Sequence, residues 1–257
     1  MDPAYVATHL EEEQRHWWFQ GRLAVLRSVL RATLPPGRLR IVEIGCGGGA
    51  LLALSAEFGE VVGVEATEAF LDAARRRGLP VLRGSLPDAL PLDPDSFDGV
   101  FLFDVLEHIE DDRAALRAVR RILKPGGLLI CTGPAYPWLW GPHDEVLGHR
   151  RRYTARTLRQ VALDADLRLL RVTYFNTLLA PAIVLVRALR RRRYRPSDVG
   201  IPGGRPPAHD LVRPAPVLNA LFARIFAWEV GLLRWVNLPF GISVLMVACR
   251  PPREGPL

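Results

Sequence analysis

From residue 39 onward the chain alternates short apolar, β-branched runs with amphipathic stretches, and that alternation restricts it to one fold class. The runs at 39–44, 61–64, 80–82, 99–103 and 128–132 are mostly apolar, as strands of a sheet covered on both faces are. Between them, 51–58, 68–77 and 112–123 carry helical spacing. Thr67 stands at the N-cap of the second, and Lys124-Pro125-Gly126-Gly127 stops the third. The pattern predicts an α/β, Rossmann-like, doubly wound sheet, mostly parallel. A helix at 154–164 and strands at 167–174 and 242–248 bring the sheet to seven strands. The interval between the last two, 177–240, reads as a helical insertion. Upstream, Thr8-x-x-Glu11 has the capping-box pattern, opening a helix that ends near Trp17-Trp18-Phe19, with a second helix at 22–34.

The first strand runs into Val42-Glu43-Ile44-Gly45-Cys46-Gly47-Gly48-Gly49. Glycines at a strand-to-helix turn let the backbone bend sharply and let a ligand approach without meeting a Cβ. By spacing alone, Gly45-x-Gly47-x-x-Ala50 fits the dinucleotide fingerprint, and Glu65 closes the second strand where a ribose-binding acid belongs. A nicotinamide oxidoreductase satisfies that much.

It leaves the later motifs unexplained. Leu90-Pro91-Leu92-Asp93, Ser96-Phe97-Asp98-Gly99-Val100, Phe103-Asp104-Val105-Leu106-Glu107-His108-Ile109 and Leu123-Lys124-Pro125-Gly126-Gly127 follow one another in the order found in class I S-adenosylmethionine-dependent methyltransferases, which the chain resembles over residues 39–133. The resemblance implies that Glu43, Gly45, Cys46, Gly47 and Gly49 border the methionine part of S-adenosylmethionine. Glu65 would take both ribose hydroxyls, with Ala66 beside it. Asp104 would lie near the methionyl amino group, among Phe103, Val105 and Leu106. Ser85 and Leu86 stand where many relatives place an acid that reads adenine. His16-Trp17-Trp18-Phe19-x-x-Arg22, Gly148-His149-Arg150-Arg151-Arg152-Tyr153-Thr154, Tyr174-Phe175-Asn176 and Asn237-Leu238-Pro239-Phe240-Gly241 are similar to a bacterial methyltransferase subgroup, and the core resembles ubiquinone-pathway O-methyltransferases. On this footing the chain is one methyltransferase domain: N-terminal helices 1–38, cofactor-binding core 39–176, insertion 177–240 and last strand 241–250.

Methyl transfer to a hydroxyl needs alignment, exclusion of water and a base. The stretch after the fifth strand, at the sheet edge where open α/β sheets bind ligands, supplies His143 and His149 as candidates. Asp104, Glu107 and His108 would suit a divalent ion if they shared a helix face, but helix-start acids with one packing histidine are the favoured account of them, and no metal is assigned. Arg150-Arg151-Arg152 suits an anion clamp or a solvated charge run. Trp138 and Trp140 lie in the substrate loop as acceptor contacts, and Trp17, Trp18 and Phe19 as a lid or as packing.

Charge divides unevenly. Residues 1–177 hold 22 basic and 23 acidic side chains, whereas 178–257 hold 12 and 4, so the net +7 belongs to the insertion end. That disfavours a uniformly basic nucleic-acid binder, and the RNA methyltransferase alternative lacks both an Asp-Pro-Pro-type motif at Asp104 and an RNA-binding module. Residues 178–189 are almost continuously apolar and end in Arg190-Arg191-Arg192-Arg193-Tyr194-Arg195, a pattern suited to an anionic membrane surface. In 217–236, Arg224, Glu229 and Arg234 point to three sides, so no polar stripe results. O-methylation of a small, lipid-linked or glycan-related acceptor is expected, with a helical hairpin at 178–236 bringing an apolar or lipid-linked acceptor to the site and a soluble cap or dimer contact as the alternative. Three dispersed cysteines and no secretory signal point to the cytoplasm, with membrane association through the insertion.

Overall fold

All the runs read as strands pair in one sheet in the structure, a computed structural model that describes residues 3–193 and 212–252. The strands are β1 (Leu39–Ile44), β2 (Gly59–Glu65), β3 (Val81–Arg83), β4 (Phe97–Phe103), β5 (Leu123–Pro134), β6 (Arg168–Phe175) and β7 (Ser243–Cys249), in the order β3-β2-β1-β4-β5-β7-β6. Only β7 runs antiparallel to its neighbours, so the other six strands end at the same edge. The expected open, mostly parallel, seven-stranded sheet is what forms.

Alternation along the strands fills two cores. Ile41, Phe101, Phe103, Ile130, Leu245 and Val247 face one side. Val42, Val100, Leu102, Leu129, Cys131, Val244 and Met246 face the other. On the second side, α5 (Asp112–Ile122) and α7 (Ala155–Leu163) contribute Leu116, Val119, Ile122, Leu158 and Val161. On the first side lie α2 (Trp17–Thr33), α3 (Ala50–Ser55) and α9 (Pro216–Leu233). Helix α2 buries Phe19, Arg22, Val25, Leu26, Val29 and Leu30 at three- and four-residue spacing. Each fully buried aliphatic side chain there contributes about 1.5–3 kcal/mol. Helix α4 (Glu68–Arg76) follows β2.

Local readings shift in four places. Helix α1 (Pro3–Glu12) is under way before Thr8, so Thr8-x-x-Glu11 does not open it. Trp17-Trp18-Phe19 begins α2 instead of closing α1, because His16 caps the new helix by accepting the Trp18 N–H at Nδ1, 3.3 Å. The Lys124-to-Gly127 stop belongs to β5: the Gly126 N–H donates to Arg250 O at 2.9 Å and the Arg250 N–H to Gly127 O at 3.0 Å, which holds the glycines against the end of β7. The substrate loop also contains a short helix, α6 (Pro142–Leu147).

The insertion holds α8 (Ala180–Arg193) and α9. Arg195 and the Pro/Gly-rich stretch up to residue 211 lie outside the described residues, as do the side chains of Arg190 to Arg193. In place of a hairpin centred on α8, α9 packs chiefly along α2, with Phe226 stacked on Phe175 of β6 at 6.2 Å. The face turned inward is the one carrying polar groups. Asn219 accepts the Trp17 N–H at 2.9 Å and donates to Arg15 O at 2.8 Å, and fully buried Glu229 accepts the Leu178 N–H at 2.7 Å. The outward stripe is Val217, Leu221, Arg224, Trp228, Leu232 and Trp235, with Trp228 72% and Trp235 81% exposed. Both faces being largely apolar, no amphipathic signal appears in the sequence. By length and composition α9 would also suffice to cross a membrane.

Gly21 is where α2 and α9 approach closely: a Cβ there would stand 2.2 Å from the Phe226 ring. Gly21→Val is expected to destabilise by about 1–3 kcal/mol, lowering Tm by several degrees in a thermal melt, whereas Gly231→Ala, with open space at its Cβ, leaves Tm near the wild-type value.

Candidate functional site

Strand order reverses between β1 and β4, and open α/β sheets bind ligands in the crevice at that switch point. The glycine loop bridges β1 to α3 there. Gly45 has φ +73°, and a Cβ on it would meet the Val105 side chain at 2.5 Å. Gly47 has φ +55°, and the space its Cβ would take is open. Glu65, at the tip of β2, accepts N–H groups from Gly47 (2.9 Å), Ala66 (2.9 Å) and Thr67 (2.8 Å). The carboxylate pins the loop while keeping acceptor capacity for hydroxyl groups.

Asp104 ends β4 in a left-handed turn, φ +59°, and accepts from the Thr132 hydroxyl at 3.3 Å. Arg22 reaches it from α2, Nη2 to Oδ2 2.5 Å, with its guanidinium over the Trp18 ring at 4.9 Å. The Arg22 Nε is buried with no hydrogen-bond partner. Adjacent opposite charges with a spare donor suit the ammonium and carboxylate of an amino-acid zwitterion. With an open glycine cradle and an acidic strand tip beside them, the residues fit S-adenosylmethionine. Sequence reasoning quoted Arg22 within a motif and gave it no role; the signal was its place four residues after Trp18, on one helix face. Glu43 lies deeper, accepting from the Ser55 hydroxyl at 2.8 Å. Burial pushes its pKa up to about 8, which keeps it protonated at neutral pH, and burial likewise drives the Cys46 thiol well above the ordinary thiol range.

A cavity of about 910 Å3 gathers most of the expected cofactor residues: Glu43, Gly45, Cys46, Gly47, Glu65, Ala66, Ser85, Leu86, Phe103, Asp104 and Val105 line it. Two do not. Gly49 is the left-handed N-cap of α3, and Leu106 is fully buried in the core beside α5. Trp17, Trp18 and Phe19 line the cavity, whereas Trp138 is 56% exposed and stacks on Tyr136, and neither it nor Trp140 reaches the cavity wall. The cavity continues past Asp104 to His143 and His149, and on to Leu179, Ala182, Ile183 and Val186 at the start of the insertion.

The two histidines stand differently. His149 Nδ1 lies 2.8 Å from buried Asp144, which also takes the Arg152 Nε–H at 2.8 Å and the Gly141 N–H at 2.8 Å. Desolvation opposes this charge, but the bonds from His149, Arg152 and Gly141 overcome it and hold Asp144 well below the usual carboxylate range. An ionised Asp144 fixes His149 with Nδ1 protonated, so Nε2 is left as the acceptor. His143, one turn away on α6, has its ring centroid 6.3 Å from that of His149. Glu107, His108 and His149 bring ligand-type atoms within 4.8 Å of one another, while Asp104 turns to Arg22 instead. That trio differs from the Asp104, Glu107 and His108 set considered from sequence, and its donor types would suit a divalent cation. Each guanidinium of the arginine run has an acidic partner: Arg150 pairs with Glu110, Arg151 with Asp112 and Arg152 with Asp144.

Comparison with known proteins agrees with this geometry. Residues 42–131 match the family model described as a methyltransferase domain. The chain is 40% identical over 109 residues to a ubiquinone biosynthesis O-methyltransferase of Cereibacter sphaeroides, covering 40% of this chain and 44% of the relative. It is 42% identical over 104 residues to the same enzyme of Ruegeria pomeroyi, covering 38% and 42%. The matched segment thus spans less than half the length of these relatives. Over the whole fold, the Haloferax volcanii protein solved in complex with the Trm112 methyltransferase activator aligns with TM-score 0.61 and 21% identity, covering 98% of this chain and 97% of that one. A Mesorhizobium loti S-adenosylmethionine-dependent methyltransferase aligns at TM-score 0.55 and 21% identity, covering 86% and 96%. Residues 42–131 thus match the methyltransferase domain family, within a chain that has the Rossmann-like fold of solved S-adenosylmethionine-dependent methyltransferases.

Proposed function

We propose that the protein transfers a methyl group from S-adenosylmethionine to an oxygen of a small, lipid-linked or glycan-related acceptor. The observation that carries this reading is that one cavity is lined at once by the glycine cradle with Glu65, by His149, and by Leu179, Ala182, Ile183 and Val186 at the start of the insertion. When bound, the cofactor supplies a methyl group on a sulfonium, open to in-line attack. Arg22 and Asp104 hold the amino-acid end and Glu65 the ribose, so the reactive carbon is aligned by groups on three different elements. Trp17, Trp18 and Phe19 keep water from the site. His149 Nε2 accepts the acceptor's hydroxyl proton, and Asp144 keeps the ring in the required tautomer.

The insertion supports an anionic membrane surface as the partner and a cytoplasmic, membrane-associated protein. A row of outward apolar side chains ending in two exposed tryptophans is costly to leave in water. The +8 charge of residues 178–257 complements anionic headgroups. Docking there would place the apolar wall of the cavity towards the source of a lipid acceptor.

Two measurements test these points. With labelled S-adenosylmethionine and the alkylated phenol dodecyl gallate, His149→Gln should lower turnover about 100- to 10,000-fold with cofactor affinity changed less than about twofold. Equal turnover in variant and wild type would contradict the base assignment. In a flotation assay, wild-type protein should bind vesicles of phosphatidylcholine with phosphatidylglycerol, and a Trp228→Ser, Trp235→Ser double variant should not. Binding that survives in the double variant, or wild-type protein that ignores the vesicles, rejects docking through α9.

A further inference from the structure

Asn176 follows β6 at the same sheet edge as Asp104, but on the far side of β5 and β7 from the cofactor cradle. Its side chain is fully buried, and neither its Oδ1 nor its Nδ2 has a hydrogen-bond partner. It lines the cavity, next to Leu179, Ile183, Ile242 and Ser243. The backbone of the residue is accounted for: its carbonyl accepts the Ile242 N–H at 3.3 Å, and its N–H is directed at the Glu229 carboxylate.

A left-handed backbone, φ +57°, explains a preference for Asn or Gly at this turn. It does not explain a buried amide with both ends unpaired. Native proteins rarely leave such a group unsatisfied, and an exception on a cavity wall calls for a partner that completes the bonds. Glycine would make the same turn without that cost.

We propose that Asn176 is an acceptor-binding residue, its amide pairing with a neutral hydroxyl or carbonyl oxygen on the part of the acceptor that lies away from the transferred methyl group. This rests on the methyl-transfer reading above. The amide carries one donor group and one acceptor atom and no charge. It therefore suits an uncharged oxygen set in an apolar frame, as Leu179, Ile183 and Ile242 provide, and offers nothing to balance a phosphate or carboxylate. The acceptor class that results has a reacting hydroxyl near His149, a second neutral oxygen at Asn176 and an apolar portion along α8. Dodecyl gallate has all three: phenolic hydroxyls, an ester carbonyl and an alkyl chain.

The test uses the full chain with S-adenosylhomocysteine bound and dodecyl gallate as the titrant in calorimetry, comparing wild type, Asn176→Gly and Asn176→Asp. Asn176→Gly keeps the left-handed turn and removes the amide. Asn176→Asp keeps the shape but loses the donor. Both variants should bind dodecyl gallate about 10- to 100-fold more weakly than wild type, with unchanged affinity for S-adenosylhomocysteine and a Tm for Asn176→Gly no lower than that of wild type. Wild-type affinity in Asn176→Asp would show that only shape matters and overturn the proposal. So would a Tm several degrees lower in Asn176→Gly, which marks a structural amide, or a loaded wild-type protein that does not bind dodecyl gallate. Failure of the wild type to bind S-adenosylhomocysteine at all would instead overturn the methyl-transfer reading beneath it.

Discussion

The site depends on one carboxylate. Glu65, carried to the sheet edge by β2, gathers the N–H groups of Gly47, Ala66 and Thr67. The Gly45 N–H to Val64 O and Arg77 to Gly48 O, both 2.7 Å, tie the two ends of the glycine loop, and Glu65 fixes Gly47 between them at the cavity. The consequence reaches outward: the loop sets where β1 hands over to α3, and the switch point between β1 and β4 then opens directly beneath α2. From there Arg22 descends onto Asp104, so the N-terminal helices are part of the binding site as well as a cover for the sheet.

The insertion reverses the usual arrangement of a surface helix. Asn219 and Glu229 are turned inward because each satisfies backbone groups that would otherwise be buried unpaired: the N–H at the start of α2, the carbonyl of Arg15, and the N–H groups leading into α8. Fixing those polar residues inward commits the opposite stripe, with Trp228 and Trp235, to face outward. An apolar surface produced by inward hydrogen bonding cannot be hidden by a small rotation of the helix. This is why the exposed stripe bears on what the protein meets.

The sheet was legible because its strands are mostly apolar runs alternating with helical spacing, and the glycine loop and Glu65 were legible from position on those strands. Contacts made across long sequence separations were not. Arg22 meets Asp104 from another element, and nothing near Asn176 in sequence marks its amide as unpaired. The boundary between α1 and α2 was misplaced because an aromatic triplet was read as a terminus, when His16 supplies a cap just before it. The arginine run leaves two readings open in the sequence, an anion clamp or a solvated charge run. Three adjacent guanidinium groups look like an anion site until Glu110, Asp112 and Asp144 are found to take one each. Asp144 was overlooked as the partner that separates His149 from His143.

The most direct test of the whole account is calorimetric titration of S-adenosylhomocysteine into wild-type protein and a Glu65→Ala variant whose fold is checked by circular dichroism. The account predicts one site per chain in the wild type and binding at least about tenfold weaker in the variant, from the loss of charge-assisted hydrogen bonds to the ligand and of the loop's anchor. Equal affinity in the two proteins, or no binding by the wild type, would contradict it.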